Sequence, residues 1–453
     1  ALELPSEQDK LELERYAPVS RSESSLRPRD VSLGVFGQLT ARGLRQASSL
    51  GKWIKQQYLP HGNFPMPNQS AVACFSSNYS RTILTAQAVL KELLGASLYD
   101  GNKVRVQIAS PNDEFINVYP FLPRLQKLMY DAANNETGEI ASKDAAMAQV
   151  QHELVQTLPA FAFKLRRFSW ISYQDYFHCR AGRMSSPNEV AAGYQERMLV
   201  SYIKDLPKAS KDGLNAADVS RAIRRLSQYI TEDDANVVFT NIDADGDGRV
   251  SLEEISNFAR RGLPMLEPKA VEESLWGHCS AVENHVSDRF ESWYSSSPIL
   301  NQAVGRLLGT LSTKMSEGSQ QYHAECEAAE ARKTSGGGAG AKGVARFTLI
   351  AGHDVTLLPL LHGLGAWNKL EKQWPMYASS IVFEVLRCSD TKRRYVRAFY
   401  SNGSNEDSEN DDIGMQEVVF GDSSGAHLLG EETQLMPFET FEKFCNFVSL
   451  DQS

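Results

Sequence analysis

Two groups of residues in this sequence have types and spacings suited to chemistry. One suits a hard cation and the other an anion. The cation group is the run Asp243-Ala-Asp245-Gly-Asp247-Gly248-Arg249-Val250-Ser251-Leu-Glu253-Glu254. Calcium takes roughly six to eight oxygen ligands, and a loop of about twelve residues supplies them at alternate positions and from a closing glutamate. Asp243, Asp245 and Asp247 offer three carboxylates, and Arg249 offers its backbone carbonyl. Ser251 would act through a water, and Glu254 would close the site with two oxygens. Gly248 permits the positive φ of a sharp bend. Val250 is the apolar residue that pins such a loop to a partner, and Ser251 with Glu254 makes a capping box for an exiting helix. Phe239 and Ile242 before the loop, and Ile255 and Phe258 after it, give the flanking helices an apolar face. The pattern is that of an EF-hand, with Ca2+ as the expected ion.

EF-hands usually come in pairs. Upstream, Asp212-Gly213-Leu214-Asn215 followed by Asp218 to Leu226 keeps a glycine, an apolar residue and a helix, but lacks the early acidic ligands. A metal-free half-site and a plain helix-loop-helix both remain open.

The anion group is split along the chain. Ala351-Gly-His353-Asp354-Val-Thr follows a buried strand pattern and opens a helix. Open α/β sheets place their ligands at such strand ends, and a helix N-terminus favours an anion. Taken alone, Asp354 could equally be a helix cap. Phe75-Ser-Ser-Asn-Tyr-Ser-Arg81-Thr repeats the arrangement, delivering Arg81 to a helix start. A guanidinium donates two hydrogen bonds at once to a phosphate, whereas a merely decorative cation is unfavourable beside the positive end of a helix dipole.

These residues need elements to hold them. Thr40 to Tyr58 has a helical period, with Leu44, Ala47, Leu50, Gly51, Ile54 and Tyr58 on one face. The run 71–77 reads as a buried strand, 81–94 as a helix, and 103–108 as a strand. The middle of the chain, about 120–335, is almost wholly helical in pattern. Strand patterns resume at 347–351, 380–385 and 395–400. Residues 1–32 read as an extended polar lead-in, and 335–341 with the acidic run 406–412 as solvated loops. The fold class expected is α/β, with one sheet holding all five strands.

Composition excludes several classes. The 453 residues are 42% hydrophobic and 23% charged, which is ordinary globular usage rather than disorder or a fibre. No apolar run reaches the roughly 18 residues of a membrane helix, so no transmembrane segment is expected. The net charge of −9 argues against a nucleic-acid partner. Six cysteines lie far apart with no Cys-x-x-Cys pair. Sequons at Asn68, Asn78, Asn135 and Asn402 permit glycosylation without requiring it. The compartment stays undetermined.

Three ordered stretches carry a family resemblance: Gly37-Gln38-Leu39-Thr40 through Gly43 to Gly51, Ser76-Ser77-Asn78-Tyr79-Ser80-Arg81-Thr82, and Ala351-Gly352-His353-Asp354-Val355-Thr356. Together they resemble the histidine acid phosphatase family, in the second branch of the histidine phosphatase clan, over roughly 33–130 and 285–448. Within it, Gly34 to Thr40 and His353 to Gly365 are most similar to the lysophosphatidic acid phosphatases, with the 2-phosphoxylose phosphatases close by. The resemblance implies a mixed α/β sheet flanked by helices, with a helical cap. It also implies hydrolysis of a phosphomonoester, such as a lysophospholipid or a phosphorylated sugar, through a phosphohistidine. Arg81 would bind the phosphate, His353 would be the second histidine at the phosphoryl group, and Asp354 the general acid, with no metal needed for that step.

The family's nucleophile is the histidine of an Arg-His-Gly motif upstream of the Gly37–Gly51 stretch. No Arg-His-Gly occurs here, and the first histidine is His61. The expectation is therefore that the sequence starts beyond the nucleophile or is a degenerate member, inactive and poorly stable as it stands. The domain reading is a phosphatase-like part over 1–204, an EF-hand insertion over 205–265, and a second phosphatase-like part over 266–453. Two functions follow from it: a phosphatase carrying a calcium-binding insert, or a calcium-binding protein on an inactive phosphatase scaffold.

Overall fold

The computed structural model describes residues 5–22, 28–29, 38–58, 72–95, 104–135, 137–157, 163–164, 167–184, 214–218, 239–240, 242–251, 253–254, 277–334, 347–403, 413–421 and 432–450. The stretches 34–37, 335–341 and 404–412, and the flanking residues Ile255 and Phe258, lie outside these. The chain divides into two compact units, one of Ala1–Glu3 with Glu136–Arg289 and one of Leu4–Asn135 with Phe290–Ser453.

The larger unit begins with a departure from the sequence reading. Residues expected to be an extended lead-in form helix α1 (Glu7–Tyr16) and strand β1 (Val19–Arg21). Helix α1 is nucleated by a capping box, in which Ser6 Oγ accepts from Asp9 N and Asp9 Oδ2 accepts from Ser6 N. Only Leu13 and Tyr16 of this helix are buried. So thin a stripe, in a segment otherwise charged, shows no period. The Tyr16 hydroxyl donates to the Gly95 carbonyl, and Gln87 Nε2 donates to Ala17 O at 2.8 Å, which fixes the lead-in to the core.

Helix α2 (Ala41–Tyr58), strand β2 (Val72–Ser76), helix α3 (Ser80–Leu94) and strand β3 (Val106–Ile108) follow. They pack around a core that includes Ile54, Cys74, Ala86, Leu90, Leu93 and Val106. Gly51 lets α2 lie directly on α3, because a Cβ there would stand 2.6 Å from the Val89 carbonyl oxygen. Helix α4 (Pro123–Asn134) completes this part of the larger unit.

The smaller unit contains α5 (Glu139–Ala146), α6 (Ala148–Thr157), a hairpin of β4 (Phe163–Lys164) with β5 (Arg167–Phe168), and α7 (Trp170–Met184). Its part-buried polar contacts include Asp144, which accepts from Arg289 Nη1 and lies 2.9 Å from His285 Nε2. The Asp243–Glu254 run falls in this unit, which spans Glu136–Arg289.

The chain continues with α8 (Cys279–Tyr294), the long α9 (Ser297–Thr334), β6 (Phe347–Ala351), α10 (Asp354–Gly363), β7 (Ser380–Arg387), β8 (Arg394–Ser401), β9 (Gln416–Glu417), β10 (Met436–Pro437) and α11 (Phe438–Leu450). Among the described residues, the strands do not make the single sheet expected. One four-stranded sheet runs β1-β3-β2-β6 with every pair parallel. A second, antiparallel sheet runs β10-β8-β7, with β9 on β8. Among the described residues, β6 pairs only with β2 and β7 only with β8. Both of these strands are half-exposed along most of their length, whereas β2 buries every second residue. The fold is mixed α/β, a parallel sheet flanked by helices. No described helix is long and apolar enough to cross a membrane.

Candidate active site

Two neighbouring strands and the helices they feed bring the anion group together. β2 and β6 are parallel and in register from Val72 opposite Phe347 to Ser76 opposite Ala351. Ser77 N donates to Ala351 O at 3.2 Å, which extends the pairing one step further. Parallel strands in register release their chains at the same sheet edge, and here each chain turns at once into a helix. α3 starts at Ser80 and α10 at Asp354, so two helix N-termini meet at that edge.

Arg81 Nη2 lies 3.3 Å from His353 Nδ1, although 272 positions separate them. His353 Nε2 lies 2.9 Å from Ser77 Oγ. A guanidinium can only donate, so Nδ1 accepts and Nε2 carries the proton, which it donates to Ser77. Ser77 Oγ is in turn 2.9 Å from Thr82 Oγ1, and Thr82 donates to the Ser77 and Tyr79 carbonyls. The Tyr79 ring stands edge-on to His353, with Arg81 over its face at 4.6 Å. Burial, reinforced by the Arg81 charge, depresses the His353 imidazole to about 3. The ring is neutral in this arrangement.

Asp354, the first residue of α10, has both oxygens engaged: Oδ1 accepts from Val355 N at 2.8 Å and Oδ2 from Trp374 Nε1 at 2.9 Å. The hydroxyls of Tyr119 and Tyr294 are hydrogen-bonded to one another. Burial pushes both phenols up, and the Asp354 charge contributes to each shift. Thr356 ties the turn down, accepting from His353 N and donating to Ile116 O. Neutral imidazole, guanidinium, carboxyl and two helix N-termini at one edge can hold a tetrahedral oxyanion and pass a proton to a departing oxygen.

Sequence reasoning singled out Arg81, His353 and Asp354, and the first two are in contact. It assigned no role to Ser77 and Thr82, although both fall in the quoted stretch. It missed Trp374, whose only local signal is a Trp-Pro step before a strand.

The cation group lies in the smaller unit. One carboxylate oxygen each from Asp243, Asp245 and Asp247 come within 4.8 Å of one another. Asp243 Oδ1 is buried and has no hydrogen-bond partner among the described residues. Gly248 takes φ 78°, and its N donates to Asp243 Oδ2 at 2.9 Å. Glu254 is not in the carboxylate group. Its Oε1 accepts from Ala244 N and Asp245 N, and its Oε2 from Ser251 N and Oγ. Those bonds, the Ser251 amide first, hold the Glu254 carboxyl below its ordinary range. Arg249 N donates to Asp247 Oδ1 at 2.7 Å. Val250 pairs with Leu214 through two backbone hydrogen bonds of 2.8 and 2.9 Å, and both side chains are buried. Leu214 belongs to the upstream segment read as a half-site, of which 210–213 and 219–226 lie outside the described residues.

Two Caenorhabditis elegans proteins named "Putative acid phosphatase 10" and "Putative acid phosphatase 11" match at 34% identity over 92 residues and 36% over 73. These matches cover 20% and 16% of this chain and 19% and 18% of those proteins, so they span about a fifth of each relative. Among solved structures, the phytase from Citrobacter braakii aligns over 99% of this chain and 95% of its own, with TM-score 0.40 and 12% identity. The apo form of Hafnia alvei phytase aligns over 99% and 94%, with TM-score 0.39 and 13% identity. The sequence model of the histidine phosphatase superfamily (branch 2) matches residues 7–401. That span takes in both strand-to-helix turns and the strands behind them, and the chain belongs to this family.

Proposed function

We propose that this protein hydrolyses phosphomonoesters at the Arg81–His353–Asp354 edge. The observation that carries the reading is the contact of Arg81 with His353 at the meeting of two helix N-termini. Arg81 takes two phosphoryl oxygens in its planar fork. An anion there also offsets the Arg81 charge, which reinforces burial in keeping His353 neutral, and its own charge favours a proton at Nδ1 that the imidazole can donate to the phosphoryl group. As an attacking nucleophile bonds to phosphorus and the phosphorus–oxygen ester bond breaks, the leaving oxygen takes its proton from Asp354. The family route passes through a phosphohistidine on an Arg-His-Gly histidine. These 453 residues contain no such motif, and the described residues are assigned grip and proton donation only. The similarity of 34–40 and 353–365 to lysophosphatidic acid and 2-phosphoxylose phosphatases favours a lysophospholipid or a phosphorylated sugar as substrate.

The test is hydrolysis of glycerol 2-phosphate, whose alkoxide leaving group needs a proton, by the product of the full coding sequence, beside Asp354→Asn. Turnover that the substitution lowers by about 10²- to 10⁴-fold, with KM little changed, supports the reading. Absence of turnover with phosphate binding retained points to the second function, a calcium-binding protein on an inactive phosphatase scaffold.

The second function shares one component with the first, a Ca2+ site at Asp243, Asp245 and Asp247. The unpartnered buried Asp243 Oδ1 supports it, because a buried carboxylate oxygen without a donor is costly unless a cation meets it. Glu254 and the Arg249 carbonyl complete the ligand set in this reading, and Glu254 exchanges its amide bonds for the metal.

A further inference from the structure

The stretch between α10 and β7 has a job that neither the family resemblance nor the catalytic residues explain. We propose that residues 373–379 form an arm that positions the general acid: Trp374 holds the Asp354 carboxyl in place, and Asn402 holds the arm. The inference rests on the phosphatase reading above.

An acid that protonates a leaving oxygen has to present one particular oxygen in one direction, and a lone carboxyl at a helix start swings freely about χ1 and χ2. Asp354 cannot swing, because Val355 N holds one oxygen and the Trp374 indole N–H holds the other. The indole is itself fixed. Trp374 is 7% exposed, and its ring stands edge-on to Phe290, with centroids 5.1 Å apart. Phe290 is edge-on in turn to Trp293 at 4.9 Å, so the indole is seated on an aromatic wall.

The arm has no regular structure to hold it and takes unfavourable backbone angles. Ala378 in the arm, and Glu371 and Lys372 just before it, sit at φ 63°, 58° and 53°, in the left-handed region that residues with a side chain avoid. Such angles persist only where the surroundings over-determine them. Asn402, at the end of β8, supplies that constraint. Its Oδ1 accepts from Met376 N at 3.0 Å and lies 3.1 Å from Ser379 Oγ, and its Nδ2 donates to Gln373 Oε1 at 3.2 Å. The Tyr400 hydroxyl donates to the same Oδ1 at 2.9 Å, which fixes the Asn402 side chain from behind. One side chain thus fastens the arm on both sides of Trp374, and the indole transmits that order to the acid.

A positioning role predicts a defect that depends on the leaving group. Glycerol 2-phosphate has a poor alkoxide leaving group that needs the proton, whereas p-nitrophenolate leaves nearly unaided. In the product of the full coding sequence, Trp374→Phe should lower kcat on glycerol 2-phosphate by about tenfold to a hundredfold. On p-nitrophenyl phosphate the loss should be less than about threefold, with KM for both esters nearly unchanged. Asn402→Ala should give the same selective pattern, smaller in size. Equal losses on the two esters, or none, would overturn the positioning role while leaving the phosphatase reading intact. No turnover by the wild type on either ester would overturn that reading, and this inference with it. One readout needs no turnover: the Trp374 indole N–H resonance of 15N-labelled protein, identified by its loss in Trp374→Phe. It should shift on Asp354→Ala, and an unmoved resonance would show that the contact does not form.

Discussion

Arg81 illustrates how far single residues could be interpreted before any fold was known. A cation at the positive end of a helix is electrostatically misplaced unless an anion visits, and that argument needed no neighbour. His353 was legible for the same reason, as a polar pair closing a buried strand. Trp374 was not, because its partner is 20 positions away and the loop between them follows no period. Two expectations belong to this scale. Replacing Arg81 with alanine should weaken the binding of inorganic phosphate by about ten- to a hundredfold, as loss of charge-assisted hydrogen bonds to an anion does, with little change in Tm. Calorimetry on both proteins measures this directly. In the intact chain, calcium titration should show one site that Glu254→Gln weakens strongly. Two equal sites would mean that the Leu214 segment also binds metal, and no site would leave Asp243 Oδ1 unexplained.

The elements were legible where their period was strong and hidden where it was weak. α2, β2, α3, β6, β7 and β8 lie within a few residues of their sequence positions, since each buries a regular stripe or an apolar run. α1 escaped notice because two buried residues make no pattern, and its capping box stands in a run of charge. The division into two sheets was also invisible: alternation shows that a strand has a face, not which strand lies beside it. Gly51 shows what a helical period does reveal, namely the face on which α2 meets α3. Gly51→Ala must push the helices apart or bend a carbonyl away, so it should destabilise the protein by about 1–3 kcal/mol. Urea unfolding should show a lowered midpoint, and unchanged stability would mean that the two helices have room to spare.

For the whole molecule, the α/β class and the histidine phosphatase family were legible, but the extent of the compact unit that holds the Asp243–Glu254 run was not. The motif marks its loop and says nothing of the helices from Glu139 to Met184 that fall in the same compact unit. Stability against pH is a property at this scale too. Burial, before any charge effect, holds both His353 and His362 at about 3, far below the unfolded imidazole. Between these values the unfolded chain binds protons that the folded one refuses, so stability is full above about pH 6.5 and falls as pH drops. Each histidine costs about 2 kcal/mol by pH 5. Tm should decline through that window, and His362→Leu should make the decline shallower; a parallel shift of the whole curve would refute the assignment.

The central claim is that one oxyanion touches Arg81 and His353 together. A crystal of the protein soaked in tungstate, a heavy tetrahedral mimic of phosphate, tests it most directly. The account predicts an anomalous peak at the edge where α3 and α10 begin, within hydrogen-bonding reach of the Arg81 guanidinium and the His353 ring. A peak elsewhere with that edge empty would contradict it.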